Sequence, residues 1–300
     1  MNEPFSTNPP GDRFVVGAER RRLTTRDDTI QLKKVISASR RIEMPGFFPE
    51  QLAAQLEKLC PPETVHTVVL WSKHPRNIID HPGLRKCLQR YRQVILHLTV
   101  TGMGGGFLEP NIPPADEVLE TLPALIGFLA DPERLRMRFD PIVRLRFPDN
   151  KIFSNLEDFE RVASAAKSAG VNVIVTSWME AYPKVVKRLQ AFGISPLVFS
   201  GMEWKEESDR LVSRAANIGI RLIGCCVEDW PSSACIDGAA LNRLHPDGEK
   251  ASVQKARGQR PGCGCTESWD IGWYYRCPGG CLYCYANSAT EGSPNGKKPA

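Results

Sequence analysis

The chain has 300 residues, 42% of them hydrophobic and 24% charged, a globular mixture that excludes a disordered or fibrous protein. Its net charge of +5 is mild, with part of the excess in Arg20, Arg21 and Arg22 and in Lys297 and Lys298, so no concentrated nucleic-acid-binding face is indicated. No apolar run is long enough to span a bilayer and the first residues carry no apolar signal-peptide core, so a cytoplasmic protein without membrane contact is expected.

Residues 1–30 are polar, Pro-containing and aperiodic, and read as a flexible extension. From residue 33 onward short apolar runs alternate with amphipathic ones. Strands are expected at 34–38 (KVISA), 67–71 (TVVLW), 94–100 (VILHLTV), 135–139 (LRMRF), 171–176 (VNVIVT), 196–200 (PLVFS) and 220–224 (IRLIG), with an eighth at 271–275 (IGWYY). Helices fall between them. Leu52, Leu56 and Leu59 recur at helical spacing after Pro49. Ser154 and Glu157 form a capping box ahead of Phe159, Val162, Ala163 and Ala166, and Gly170 ends that helix. Val185, Val186 and Leu189, then Leu211, Val212 and Ala215, mark two more.

This β–α alternation implies a parallel sheet with crossover helices, and so many strands in one stretch favour a (β/α) barrel over a doubly wound sheet. In such barrels the carboxyl ends of the strands line the site. Here those ends bring forward Ser39, Arg40, Arg41, Lys73, Thr101, Arg138 and Asp140 as candidate lining residues. The expected division is a flexible 1–30, a barrel over 31–228, a cysteine-rich segment at 229–290 with the last strand and a ligand loop, and a flexible tail at 291–300. His97, inside a strand, reads as a core residue, and the glycine run from Gly102 to Gly106 as a turn.

Ten cysteines are many for a reducing compartment, and eight of them fall between Cys225 and Cys284. That crowding points to metal. Cys277, Cys281 and Cys284 are spaced C-x3-C-x2-C around Pro278, Gly279 and Gly280, which suit a tight wrapping loop. Such spacing fits an iron–sulfur cluster, a zinc knuckle or a ferredoxin-like electron carrier. In a second group, Cys263 and Cys265 flank Gly264 and are joined by Cys235 and by Cys225 or Cys226, Cys226 being slightly preferred for its C-x-E spacing to Glu228. Four thiolates there would hold an auxiliary iron–sulfur cluster, with structural zinc as the alternative.

The triplet, with Tyr283 before its last cysteine, resembles the signature of radical S-adenosylmethionine (radical SAM) enzymes, and RCPGGCLYCYAN is similar to the cluster loop of spore photoproduct lyase-like members. The runs ISASRR, LWSKHP, LEPNIPP, RFDPI, ACIDG and GQRPGCGCTESWDIG together resemble the DUF1848 family, a domain of unknown function. The radical SAM resemblance implies a [4Fe–4S] cluster on Cys277, Cys281 and Cys284, whose open iron chelates S-adenosylmethionine to yield a 5′-deoxyadenosyl radical. It implies Tyr283 beside that cofactor, an electron donor such as ferredoxin or flavodoxin, and a small-molecule or nucleic-acid substrate. Radical SAM enzymes carry this loop after their first strand, whereas here it follows the last one, so the barrel is expected to be circularly permuted. Ser37 to Arg41 stand where the family has Gly-Gly-Glu, and Arg40 or Arg41 is then the candidate for the methionine carboxylate. A non-enzymatic zinc or iron–sulfur protein is the alternative of another class.

Overall fold

The computed structural model describes residues 32–286 except 198, 200, 261 and 273–275. The expected extension at 1–30 and tail at 291–300 lie outside the described residues. Ten strands are present among those described: β1 Lys34–Ala38, β2 Val65–Ser72, β3 Val94–Thr99, β4 Leu135–Ile142, β5 Arg144–Arg146, β6 Ile152–Ser154, β7 Val173–Trp178, β8 Ser195–Pro196, β9 Arg221–Gly224 and β10 Trp269–Ile271. The helices are α1 Met44–Phe47, α2 Pro49–Leu59, α3 Arg76–Asp80, α4 Pro82–Leu88, α5 Ala115–Leu119, α6 Leu122–Leu129, α7 Phe159–Ser168, α8 Pro183–Gln190, α9 Gly201–Ile218 and α10 Gly238–Leu244.

Seven strands form one parallel sheet in the order β10-β1-β2-β3-β4-β7-β9. The order follows the chain except that the last strand lies beside the first. Side chains alternate between the faces, as strand geometry requires. One face presents Ile36 and Ala38, Val68 and Leu70, Leu96 and Leu98, Met137 and Phe139, and Ile174, packed on helical residues such as Leu52, Leu56, Leu84, Phe159 and Val162. Full burial of a side chain such as Phe139 is worth about 2–3 kcal/mol. The other face presents Val35, Val69, Ile95 and Val175, which pack on Cys235, Ile236, Leu241, Leu244, Ala251, Cys263 and Cys265. The cysteine-rich segment is thus the lid of the sheet's second face.

That lid accounts for the main departure from expectation. No sheet closes into a barrel among the described residues: β10 and β9 are the edges, and nothing pairs them. A closed barrel fills its interior with side chains from its own strands. Here residues of the 235–265 segment occupy that face instead, so the edges have no need to meet. Around β9 the edge is covered locally, where Gly224 N–H donates to Pro231 O and Ser233 N–H to Gly224 O.

The strand expected at 196–200 is not in this sheet. Ser195–Pro196 pairs antiparallel with β5, which also pairs with β6, and β9 takes the place beside β7. Proline has no N–H to give to a central ladder, so a short edge position suits it. Of the strand expected at 271–275, β10 holds only Ile271, and residues 273–275 lie outside the described ones. Ser154 does cap a helix start, accepting from Leu156 N–H at 3.3 Å, but the turn it caps is 3₁₀ and α7 begins at Phe159. Asn155 is drawn inward there, binding the Val143 N–H at 2.8 Å and the Thr101 carbonyl at 3.0 Å. Gly170 ends α7 with φ +84°, as a left-handed C-cap does. Among the described residues, no helix is long and apolar enough to cross a membrane.

Candidate functional site

The cysteine loop sits over the carboxyl ends of β1, β2 and β3, the end of a parallel sheet where ligands bind. Each strand end supplies a support. After β1, Ser39 takes φ +75°, and its hydroxyl donates to Ile42 O at 2.7 Å and accepts from Met44 N–H at 2.9 Å. This turn carries Glu43, whose backbone N–H donates to Cys277 Sγ at 3.4 Å. The Glu43 carboxylate accepts from Ser72 Oγ and from Lys73 N–H, both at 2.7 Å, tying the end of β1 to that of β2. Burial pushes the Glu43 carboxyl above its ordinary range despite those bonds.

After β3, the 102–112 loop meets the cysteines directly. Leu282 N–H donates to Leu108 O at 3.0 Å, and Asn111 donates to Pro278 O at 2.7 Å. A Cβ on Gly104 would lie 2.0 Å from Pro113 O, so this expected turn needs that glycine for close backbone approach. From α8, Arg188 donates to the Cys281 and Cys284 carbonyls at 3.0 and 2.8 Å. Cys284 Sγ accepts from Ala286 N–H at 3.3 Å. Sulfurs that accept N–H bonds, on a loop clamped from three sides, suit a donor set for an iron–sulfur cluster, whose potential such bonds tune.

Tyr283 lies inside this arrangement, buried, with its hydroxyl shared between Glu109 and Lys73. Lys73 Nζ also pairs with Glu109 at 2.5 Å. Burial works against the Lys73 charge, but Glu109 and the Cys281 and Cys284 sulfurs outweigh it and hold the ammonium above its usual range. The Cys281 thiol is pushed well up, first by burial and then by Glu109.

The second cysteine group lies under the inner face. Cys235 is in hydrogen-bonding reach of both Cys225 and Cys265, which lowers its pKa well below that of an ordinary thiol, with Arg138 helping against burial. Arg138 donates to Cys235 Sγ at 3.5 Å, and Arg260 donates to Cys225 Sγ at 3.6 Å. Both expected candidates, Cys225 and Cys226, pack against the cluster that holds Cys235. Ile223 and Cys225 share the period-two face that looks toward Cys235. Cys226 packs against the same cluster, adopts φ +57°, and lies near Gly262, the residue before Cys263.

Other expected lining residues divide. Arg138 is buried, pairs with Asp140, and stands 5.0 Å above the Trp71 ring, while Asp140 also accepts from Ser177. Arg40 stands 4.8 Å from the same ring, and Arg41 is exposed. Thr101 is buried, and its hydroxyl accepts from the Met103 N–H at 3.2 Å. His97 stacks on Trp71, its neighbour in register, with ring centroids 4.2 Å apart. Glu43, Glu109, Arg188 and Arg260 were not singled out from the sequence. Glu109 lies in the run LEPNIPP, the one signal that could have found it.

A family model described as Domain of unknown function (DUF1848) matches residues 54–286. The chain belongs to that family. No curated protein matches this DUF1848 chain. Among solved structures, it is similar to the carboxyl transferase domain of Rhizobium etli pyruvate carboxylase. With 3-hydroxypyruvate bound to that domain, identity is 9%, coverage is 75% of this chain and 45% of that one, and the TM-score is 0.28. For the same domain without a named ligand the values are 10%, 75%, 45% and 0.27. The DUF1848 chain therefore spans less than half of that relative, and likeness so distant bears on neither fold nor chemistry.

Among the described residues of this DUF1848 protein, no three His, Cys, Asp or Glu side chains converge so as to hold one metal ion.

Proposed function

We propose that this DUF1848 protein is a radical SAM enzyme whose [4Fe–4S] cluster is held by Cys277, Cys281 and Cys284. The observation that carries the reading is a C-x3-C-x2-C loop laid over the carboxyl ends of β1, β2 and β3, with backbone N–H groups donating to two of its sulfurs. The strand order supports it too: β10 beside β1, with the rest in sequence, is the order of a circularly permuted (β/α) barrel left unclosed. When bound, a cluster with one open iron supplies the electron that cleaves S-adenosylmethionine to the 5′-deoxyadenosyl radical.

The chain's own residues do the holding and shielding. Glu43 N–H and Ala286 N–H offset charge on the Cys277 and Cys284 sulfurs, and Arg188 fixes the loop through its carbonyls. Lys73 and Glu109 lock the Tyr283 hydroxyl, orienting its ring beside Cys284. Arg40, Arg138 and Asp140 are the polar groups that would meet a small-molecule substrate, with ferredoxin or flavodoxin as the class of donor. The test is anaerobic reconstitution with iron and sulfide, followed by reduction with S-adenosylmethionine. Production of 5′-deoxyadenosine that vanishes in Cys281→Ala is expected, and reconstituted, folded protein that forms none would overturn the proposal.

A further inference from the structure

Trp71 stands at the carboxyl end of β2 on the sheet's inner face, and the charges around its ring do not balance. Its indole stacks on His97 with ring centroids 4.2 Å apart and an angle of 11° between the planes. The indole N–H donates to Ser37 Oγ at 3.2 Å, so the ring is fixed from β1 as well as from β3. Two guanidiniums stand over it. Arg40, from the turn after β1, lies 4.8 Å from the ring centroid, and Arg138, from β4, lies 5.0 Å from it. The two are therefore within about 10 Å of each other, close enough for one small ligand to touch both.

Neither arginine is fully answered. Among the described residues Arg40 forms no salt bridge, and it is only partly buried. Arg138, with a side chain 9% exposed, pairs with Asp140 and donates to Cys235 Sγ at 3.5 Å, yet its buried Nε has no hydrogen-bond partner. Asp140 in turn divides itself between Arg138 and the Ser177 hydroxyl. The other acid on this side, Asp270, acts on Arg40 and Arg41 and accepts from Ser37 Oγ at 3.1 Å. Arg40, Arg41 and Arg138 against Asp140 and Asp270 leave one positive charge, three less two. Lys73 with Glu109, and Arg260 with Glu180, are balanced pairs. Glu43 lies on the other face of β2, against Ser72. Exposed Tyr285, the residue after Cys284, is within electrostatic reach of all three arginines, so the excess sits beside the cysteine loop. Like charges gathered at a partly dry site repel one another, and an anion between them removes the repulsion.

We infer that Arg40 and Arg138 bind a carboxylate of the substrate over the Trp71 ring, which makes that substrate a small carboxylic acid. One net charge matches one carboxylate, whereas a phosphate monoester brings about −1.5 to −2 charges at neutral pH. The guanidinium fork pairs with carboxylate oxygens in a bidentate manner, and the partly exposed indole gives the attached carbon body an apolar surface. Arg40 opens the turn whose Glu43 N–H donates to Cys277 Sγ, so the bound molecule lies beside the loop proposed to hold the cluster. That the carboxylate belongs to a substrate rests on the radical SAM reading; that a carboxylate binds here does not.

The test is isothermal titration calorimetry of the full chain, reconstituted anaerobically, with acetate, benzoate and inorganic phosphate as probes at an ionic strength matched with chloride. Acetate and benzoate are expected to bind, and Arg40→Gln to weaken both by about tenfold or more. Arg138 is buried and holds Asp140, so it is changed to Lys, which keeps the charge but not the fork. Arg138→Lys is expected to weaken both carboxylates as well, with circular dichroism reporting its fold; should it not fold, Arg40→Gln decides alone. No carboxylate binding at about 50 mM, binding unchanged in Arg40→Gln, or Arg40-dependent binding of phosphate alone overturns the inference. S-adenosylmethionine added to the reconstituted chain should leave the probe affinities unchanged. If it displaces the probes competitively, the arginines serve the methionine carboxylate and the substrate assignment falls. Carboxylate binding in a chain that forms no 5′-deoxyadenosine fails the radical SAM reading and leaves the binding site standing.

Discussion

Replacing Glu109 by Gln isolates the buried charge pair beneath the cysteine loop. Glu109 is 2% exposed and Lys73 is 20% exposed, with Nζ and Oε1 2.5 Å apart, so removing the carboxylate strands an ammonium in a mostly dry site. Breaking a buried pair on one side costs about 3–5 kcal/mol, against about 0–1 kcal/mol for a surface pair. The water that reaches Lys73 moves the expectation to the low end, about 3 kcal/mol. Removing both charges together, in Lys73→Met with Glu109→Gln, leaves no orphan and should cost less than the single change. Urea unfolding of the reduced, metal-free chain under anoxic conditions measures wild type, the double variant and both single variants, Lys73→Met and Glu109→Gln. The pH dependence has a set direction: because the Lys73 pKa is raised in the fold, the pair's contribution is full below the lysine's unfolded value. It is lost as pH rises through the folded one. Additive single effects, or a Glu109→Gln change within about 0.5 kcal/mol of wild type, would refute the coupling.

His97 gives a second pH signature, since burial pushes its pKa down to about 3. The unfolded chain takes up a proton below about pH 6.5 that the fold refuses, so stability should fall by roughly 3 kcal/mol between pH 7 and pH 4. Urea midpoints across that range check it, and a His97→Asn chain with an equally steep decline would rule it out. Cys60 and Cys87, both pushed up to about 11 by burial, should resist alkylation at pH 8 in the folded chain and react in urea, as peptide mapping would report. Phe139→Ala should cost about 3–5 kcal/mol in the same urea assay, because its fully buried ring packs edge-on against Phe159 at 5.4 Å.

Six of the seven strands of the main sheet were legible in the sequence, because runs such as VILHLTV are buried on both faces and bear β-branched residues. Closure was not legible. A sequence counts strands, but whether their edges meet depends on what covers the inner face, here the distant residues Ile236, Leu241 and Ala251. β5 and β6 have three residues each, too few to carry a period. In the candidate site the cysteines stand out by their spacing, and Lys73, Arg138 and Asp140 by their place at or near the carboxyl ends of β2 and β4. Glu43 and Glu109 were not, since an acid in a loop gives no sign of being buried.

The position of β10 beside β1 has a consequence for how the protein is made. Cys277 is separated from Glu43, whose N–H receives its sulfur, by 234 residues. The ribosome therefore releases β1 to β4 and the 102–112 loop well before any of the three thiols that rest on them. Any metal those thiols are proposed to hold must follow them, and the loop meets a receptor whose walls are already made.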